Sequence, residues 1–396
     1  MLESDVSLSS NATNNRISML EVLKIPNFLL FWIGEGVSTL GDQFYMIAIS
    51  ILVLQLSTPE TEAMALSITL MLAGIPRAIF IFLGGAYSDR FSPRMIMIVS
   101  NVCRAIVVSI LTFLVLSDQI LFWHLALASF VFGIADAFFY PSYNAMVPRI
   151  LESHQLESGN ALVSLTLQLG LFLGPAIGAI IISGIGVGLA FGLDVITFLV
   201  SILCLSLMVS MTKSSSTRGE ASHENNVAQE SVIQSIRSGI RYALSNQLIW
   251  VTLAIIAIID FAMVSAMGVG LPLLAENRFG DANLLGALLA SFGAGSILGI
   301  LIGGLWRIKS LGTLFIFLIA LLGIATILLS LIDTLILAML AIAASGISSG
   351  VFNVVGISWM QRQIEPHMMG RVMSLIMFSS LGLQPIEKLL AGIIAG

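Results

Sequence analysis

Long apolar runs alternate with short polar breaks along almost the whole chain, and eleven can be drawn: roughly 27–54, 64–87, 94–116, 120–141, 159–184, 187–211, 248–274, 283–305, 311–331, 334–357 and 371–396. Crossing a bilayer takes about 20 predominantly apolar residues in a helix. In lipid each backbone polar group must bond within its own segment, so separate runs of this length predict helices and not barrel strands. The fold class expected is an all-α polytopic membrane protein. The one long polar break, 212–247, divides the runs into six and five. Its first part, Lys213 to Gln229, is rich in Ser, Asn and Glu and predicts no packed structure. Ser231-Val-Ile-Gln234 then reads as a capping box. Val232, Ile233, Ile236 and Ile240 follow at helical spacing, with Arg237 and Arg241 on the other side, which predicts an amphipathic helix lying on the membrane face.

Composition agrees: 57% of residues are hydrophobic and 10% charged, with a mean hydropathy of +1.02, against about 25% charged in a soluble domain. The net charge of −5 matters less than where the charges stand. With the N-terminus inside, the inner segments hold Arg16, Lys24, Arg90, Arg94, Arg149, Lys213, Arg218, Arg237, Arg241, Arg307, Lys309, Arg362 and Arg371, and the outer connections hold only Arg278. That bias predicts a cytoplasmic N-terminus. The organisation expected is a cytoplasmic tail (1–24), an N-terminal bundle (25–211), a cytoplasmic linker (212–247) and a C-terminal bundle (248–396). The first 20 residues lack a signal-peptide progression, and Asn11-Ala12-Thr13 is read as a chance glycosylation match.

The two halves repeat. Gly133 through Phe139 to Arg149 corresponds to Gly346 through Phe352 to Arg362 at an offset of 213 (346 − 133), and Asp42 to Asp260 at 218 (260 − 42). Gly84-Gly85 corresponds to Gly303-Gly304 (offset 219) and Pro175 to Pro385 (offset 210). Two six-helix halves of like orientation imply twelve spans, so a twelfth helix is expected to be missing from this sequence.

Ionisable residues inside spans are the sharpest functional pointers, since each costs at least about 2.5–3.5 kcal/mol at the bilayer centre. Glu35 and Asp42 are seven apart and share a face of the first span; Asp136 lies in the fourth, Asp194 in the sixth and Asp260 in the seventh. An apolar setting favours the neutral form of a carboxyl group, so these five are candidates for exchanging protons; the bland alternative is a carboxylic acid that only fixes packing. Arg77 needs an acid from the first or fourth span, and Arg104 is expected to snorkel to the inner surface. Gly170, Gly174 and Gly178 form a face of small residues beside Pro175, which permits a bend. Gly295, Gly299 and Gly303 read as ordinary packing. Cys103 and Cys204 are far apart in separate spans, and none of the four histidines has a partner at ligand spacing, so neither a disulfide nor a metal site is expected. No Walker pattern points to ATP, and no cofactor is expected. A membrane-embedded enzyme is disfavoured because the carboxylates are scattered over several spans without a nucleophile.

Gly85-x-x-x-Asp89-Arg90-x-x-x-Arg94 resembles the signature loop of the major facilitator superfamily, with Ser92 where glycine is usual and Pro93 where a basic residue is usual. Gly170 to Ala179 resembles the antiporter signature, with Ala179 in place of the final glycine; the arginine usual in span four of many drug–proton antiporters is absent around Ser129. Asp136 with Ala137 to Pro148 is similar to the macrolide-efflux and enterobactin-exporter branch. The resemblance implies a major facilitator fold of two pseudo-symmetric six-helix bundles and export of an amphipathic compound by proton antiport with alternating access. It implies that Asp89 meets the start of span eleven near Gly370-Arg371 as an inner gate. It also implies a cavity between spans one, four, seven and ten, for which Phe44, Tyr45, Phe138, Tyr140, Phe352 and Asn353 are candidates. The partners expected are a small-molecule substrate, protons and the lipid bilayer of the plasma membrane, without nucleic acid, in a monomer. A siderophore or lysophospholipid carrier of the same fold and a nonfunctional fragment stand as alternatives.

Overall fold

The computed structural model describes residues 18–58, 60–209, 232–265, 271, 274, 278–279, 284–305 and 311–379. The described helices are α1 (Met19–Val22), α2 (Pro26–Gln55), α3 (Glu62–Arg90), α4 (Pro93–Leu116), α5 (Phe122–Ile150), α6 (Leu156–Ile185) and α7 (Val187–Leu207) in the first half. The second half has α8 (Val232–Ser245), α9 (Gln247–Ser265), α10 (Leu284–Leu305), α11 (Leu311–Leu331), α12 (Leu335–Gln363) and α13 (Met369–Met377). Among the described residues, eight helices are long and apolar enough to cross a membrane; a ninth span results if α8 and α9, bent by 96° at their junction, count as one. The capping box at Ser231, together with Pro385 and Glu387-Lys388, lies outside the described residues.

Turn chemistry sets the helix limits. Pro93 stands at the first position of α4, where its missing N–H costs nothing. Gly186 alone joins α6 to α7 with φ +84°, a conformation that disfavours any residue with a Cβ. Two helices outrun their apolar stretches. α5 continues through Pro141 to Ile150, and α12 continues to Gln363, so each carries a basic residue, Arg149 or Arg362, in its last turn. Pro141 cannot donate to the Ala137 carbonyl four residues earlier. That oxygen instead abuts Gly84 of α3, where a Cβ would collide with it.

The repeat is visible in packing. α3 lies on α5 as α10 lies on α12. A Cβ at Gly133 would strike the Ala73 carbonyl oxygen, and one at Gly346 would strike that of Phe292; the two partners differ by 219 (292 − 73), an offset found in the sequence. Backbones approach this closely because small residues remove the intervening side chains. α2 and α4 both pack on α7, enclosing a core of Tyr45, Leu52, Phe132, Phe191 and Phe198. α11 fully buries only Leu318 and Ala325, packs Leu311, Leu314 and Phe315 partly against α12, and leaves Ile316, Phe317, Ile324, Ile327 and Leu331 exposed, as suits a helix solvated by lipid. A second core, with Met19, Phe31, Tyr143 and Met146 from one half and Ile300 and Val354 from the other, ties the halves together.

Candidate functional site

The first half holds a network of ionisable groups from five helices, with Glu35, Arg104 and Asp194 buried and Asp42, Arg77 and Asp136 half-buried. α2 reaches α7 because Gly34 and Gly41 face it: a Cβ at Gly34 would meet Cys204 and Ser201, and one at Gly41 would meet Thr197 and Asp194. Glu35 is buried, and its Oε1 accepts a hydrogen bond from Ser201 Oγ at 2.8 Å; Ser201 Oγ in turn accepts one from Asn101 Nδ2 at 2.9 Å. One turn along α4, Arg104 is 1% exposed. It forms an ion pair with Asp136 of α5, and its guanidinium lies 4.3 Å from the Phe139 ring centroid and 5.9 Å from that of Phe198. Arg77 Nη1 of α3 stands 3.7 Å from the other Asp136 oxygen. Asp194 is fully buried and accepts from Thr197 Oγ1 at 3.0 Å, while its Oδ2 has no hydrogen-bond partner among the described residues. Asp42 directly follows Gly41, the residue at which α2 touches Asp194 and Thr197 of α7.

Two sequence expectations are settled by this geometry. The acid that Arg77 needs comes from the fourth span, and it is shared with Arg104. Arg104 does not snorkel: aromatic faces and a carboxylate hold it inside the protein, where cation–π attraction is strengthened by desolvation. Asp260, half-buried on α9, is remote from this network in sequence and is the one carboxylate inside a described helix of the second half.

The small-residue face of α6 has a defined partner. Cβ atoms at Gly170, Gly174 and Gly178 would meet Thr39, Gln43 and Ile47 in turn, a ridge of α2 with the same four-residue spacing. Pro175 lies in α6, and its side chain is outside the described residues. The aromatic candidates scatter. Phe44 is buried against Gly178, and Tyr45 stacks on Phe132 with centroids 4.1 Å apart, so both line a helix core and not a chamber. Phe138 meets Tyr87 edge-on at 5.8 Å, and Phe352 packs on Phe315 at 5.2 Å. Tyr140 meets Phe139 edge-on with centroids 5.8 Å apart. Asn353 accepts a hydrogen bond from Ser164 of the other half at 3.1 Å.

At the charge-rich end the halves close on each other. Asp89 Oδ1 accepts from the Gly370 amide at 2.6 Å and Oδ2 from the Arg371 amide at 3.0 Å, at the first turn of α13, where amides lack partners within the helix. Arg371 Nε lies 3.4 Å from Asp89 Oδ2. Gly85 admits this approach, since a Cβ there would meet Ser374 and the Gly370 carbonyl. Arg94 turns away and donates to the Ser206 carbonyl at 2.6 Å, and Arg90 ends α3 half-buried.

A second seam, between α6 and α12, went unmarked in the sequence. Asn160 Nδ2 donates to Ser358 Oγ at 2.9 Å and to Gln361 Oε1 at 2.6 Å, and Gln361 Nε2 donates to the Asn144 carbonyl at 3.1 Å. Arg362 pairs with buried Glu157 and donates to the Ser153 carbonyl at 3.1 Å. One signal could have found it: Glu157 precedes Gly370 by 213 (370 − 157), so the repeat sets it opposite the first seam. Among the described residues, no group of three or more His, Cys, Asp or Glu is placed to hold a metal.

Comparison with known proteins completes the picture. The sequence model of the Major Facilitator Superfamily matches residues 31–383. Macrolide efflux protein A of Streptococcus pyogenes is 24% identical over 181 residues, which is 46% of this chain and 44% of that protein. The enterobactin exporter EntS of Shigella boydii serotype 18 is 24% identical over 280 residues, 69% of this chain and 62% of the exporter. The chain thus spans about half the length of the curated relatives it matches. Among solved structures, a bacterial homologue of the iron transporter ferroportin in an outward-facing state aligns with a TM-score of 0.69 at 14% identity, covering 93% of each chain. The fucose:proton symporter FucP of E. coli aligns with a TM-score of 0.69 at 11% identity, covering 96% of this chain and 94% of its own. At these identities the structural likeness shows the fold alone.

Proposed function

This chain belongs to the Major Facilitator Superfamily, and on that premise we propose that it is a secondary active transporter that exports an amphipathic small organic molecule in exchange for protons. The observation that carries the reading is the ionisable network of the first half. Asp136 meets both guanidiniums, Arg77 and Arg104, while Glu35, Asp42 and Asp194 stand on the adjoining helices α2 and α7, so four carboxyl groups share two guanidiniums. Charge balance inside the protein then requires two protons on the carboxyls, because an unpaired buried charge is costly. A cluster that needs protons to be neutral, set in helices that move against another bundle, is suited to take them up on one side of a membrane and lose them on the other. The proton therefore works in the first half, and Asp260 contributes less than Asp42.

The charge-rich end is assigned to the cytoplasm by its basic residues. Closure at that end corresponds to a state open to the outside, in which Asp89 with the amides of Gly370 and Arg371, and Glu157 with Arg362, hold the inner side shut. Transport requires both seams to open. Two curated relatives, the macrolide efflux protein and the enterobactin exporter, are exporters by name, which supports outward transport, with a macrolide-like compound or a siderophore as cargo. The test is uptake into inside-out proteoliposomes under an imposed pH gradient, with a panel of macrolides and catecholate siderophores. Gradient-driven accumulation of one class supports the proposal and names the cargo; accumulation indifferent to the gradient refutes proton exchange.

A further inference from the structure

Helix α8 turns two arginines, Arg237 and Arg241, outward on one stripe, with the exposed apolar side chains of Ile240 and Leu244 beside them. Neither arginine has a carboxylate partner among the described residues. The opposite face grips the start of α13. Gly239 leaves room for the Arg371 side chain, Ser238 Oγ accepts a hydrogen bond from Arg371 Nη1, and Ala243 packs with Met369, Val372 and Ile376. Tyr242 Oη accepts from the Glu365 amide at 3.5 Å. The 96° bend lays α8 across the end of α9, the orientation an amphipathic helix takes in the plane of a membrane surface. Arginine's planar fork matches phosphate oxygens, and apolar side chains next to it match the acyl chains of the same molecule.

We infer that α8 binds the phosphodiester headgroup of an anionic phospholipid through Arg237 and Arg241, and that the bound lipid presses α8 onto α13 and so favours the closed seam at Asp89. Charge complementarity selects the lipid: the arginines sit at the membrane face, next to side chains that need an apolar cover. The site acts on the seam and not on the cargo, so it is tested without transport.

The protein, with Cys103→Ala, Cys204→Ala and Ser88→Cys, is placed in nanodiscs of phosphatidylcholine with or without phosphatidylglycerol. Ser88 is buried beside Gly370, so maleimide labelling at 88 reads opening of the seam. Phosphatidylglycerol retention is measured in parallel by native mass spectrometry. Phosphatidylglycerol slows labelling several-fold, Arg237→Gln with Arg241→Gln removes the effect, and retention falls about fivefold per arginine, the equivalent of about 1 kcal/mol each. Arg237→Lys with Arg241→Lys keeps part of both, because the charge remains while the fork is lost. Retention unchanged in the glutamine variant places the lipid elsewhere and overturns the inference. Loss of retention with labelling unchanged overturns the link to the seam. Equal protection by inorganic phosphate in phosphatidylcholine discs overturns the lipid as the source of the phosphate.

Discussion

Arg104 shows what a single side chain does in this interior. Its guanidinium balances the carboxylate network while Phe139 and Phe198 cover it, so its removal strands Asp136 with only the longer contact to Arg77. Breaking a buried pair from one side costs about 3–5 kcal/mol. Arg104→Leu is therefore expected to lower the unfolding temperature in detergent sharply, while Arg104→Lys loses the fork and keeps part of the stability. Equal melting of all three proteins would show that the pair contributes nothing. The sequence marks Arg104 as a charge in a span, but its distance from the helix end suggested escape to water; nothing in the sequence reports that two rings close over it. Gly85 makes a second residue-scale prediction. A leucine there has no room against Ser374 and the Gly370 carbonyl. Gly85→Leu should hold the charge-rich end ajar and raise maleimide labelling of a cysteine at position 88 several-fold.

At the scale of helices, the pairings follow from small residues and from where polar turns end. The Gly170, Gly174, Gly178 groove on α6 was legible because its spacing is a helix face, but its ridge, Thr39, Gln43 and Ile47, was not, since nothing in that series is unusual for a span. The same reason hid the α6–α12 seam. Asn160, Ser358 and Gln361 are uncharged and lie where an apolar run gives way to polar residues, a place that normally means solvent. Helices α5 and α12 outlast their apolar runs, and that extra length carries Arg149 and Arg362 beyond those runs. Glu157→Gln should loosen this seam, and Glu157→Arg combined with Arg362→Glu should restore it in part. The readout is cross-linking of cysteines placed across α6 and α12. A double variant no better than either single one would mean that the pair is not a latch.

For the whole molecule, the apolar periodicity made the polytopic helical fold legible, and the offset repeat made its two halves legible. The backbone contacts of Gly133 and Gly346 follow the same offsets. What the repeat does not convey is how differently the described parts of the halves are equipped: away from the helix ends, the described spans of one hold Glu35, Asp42, Arg77, Arg104, Asp136 and Asp194, and those of the other Asp260. That imbalance is the basis for assigning proton exchange to the first half and motion against it to the second. The direct test is proton movement measured with a pH-sensitive dye in proteoliposomes, with substrate added to the wild type, Asp42→Asn, Asp136→Asn and Asp260→Asn. Substrate-driven proton flux in the wild type and Asp260→Asn, with loss in Asp42→Asn and Asp136→Asn, is the predicted result. Undiminished flux in both Asp42→Asn and Asp136→Asn would contradict it.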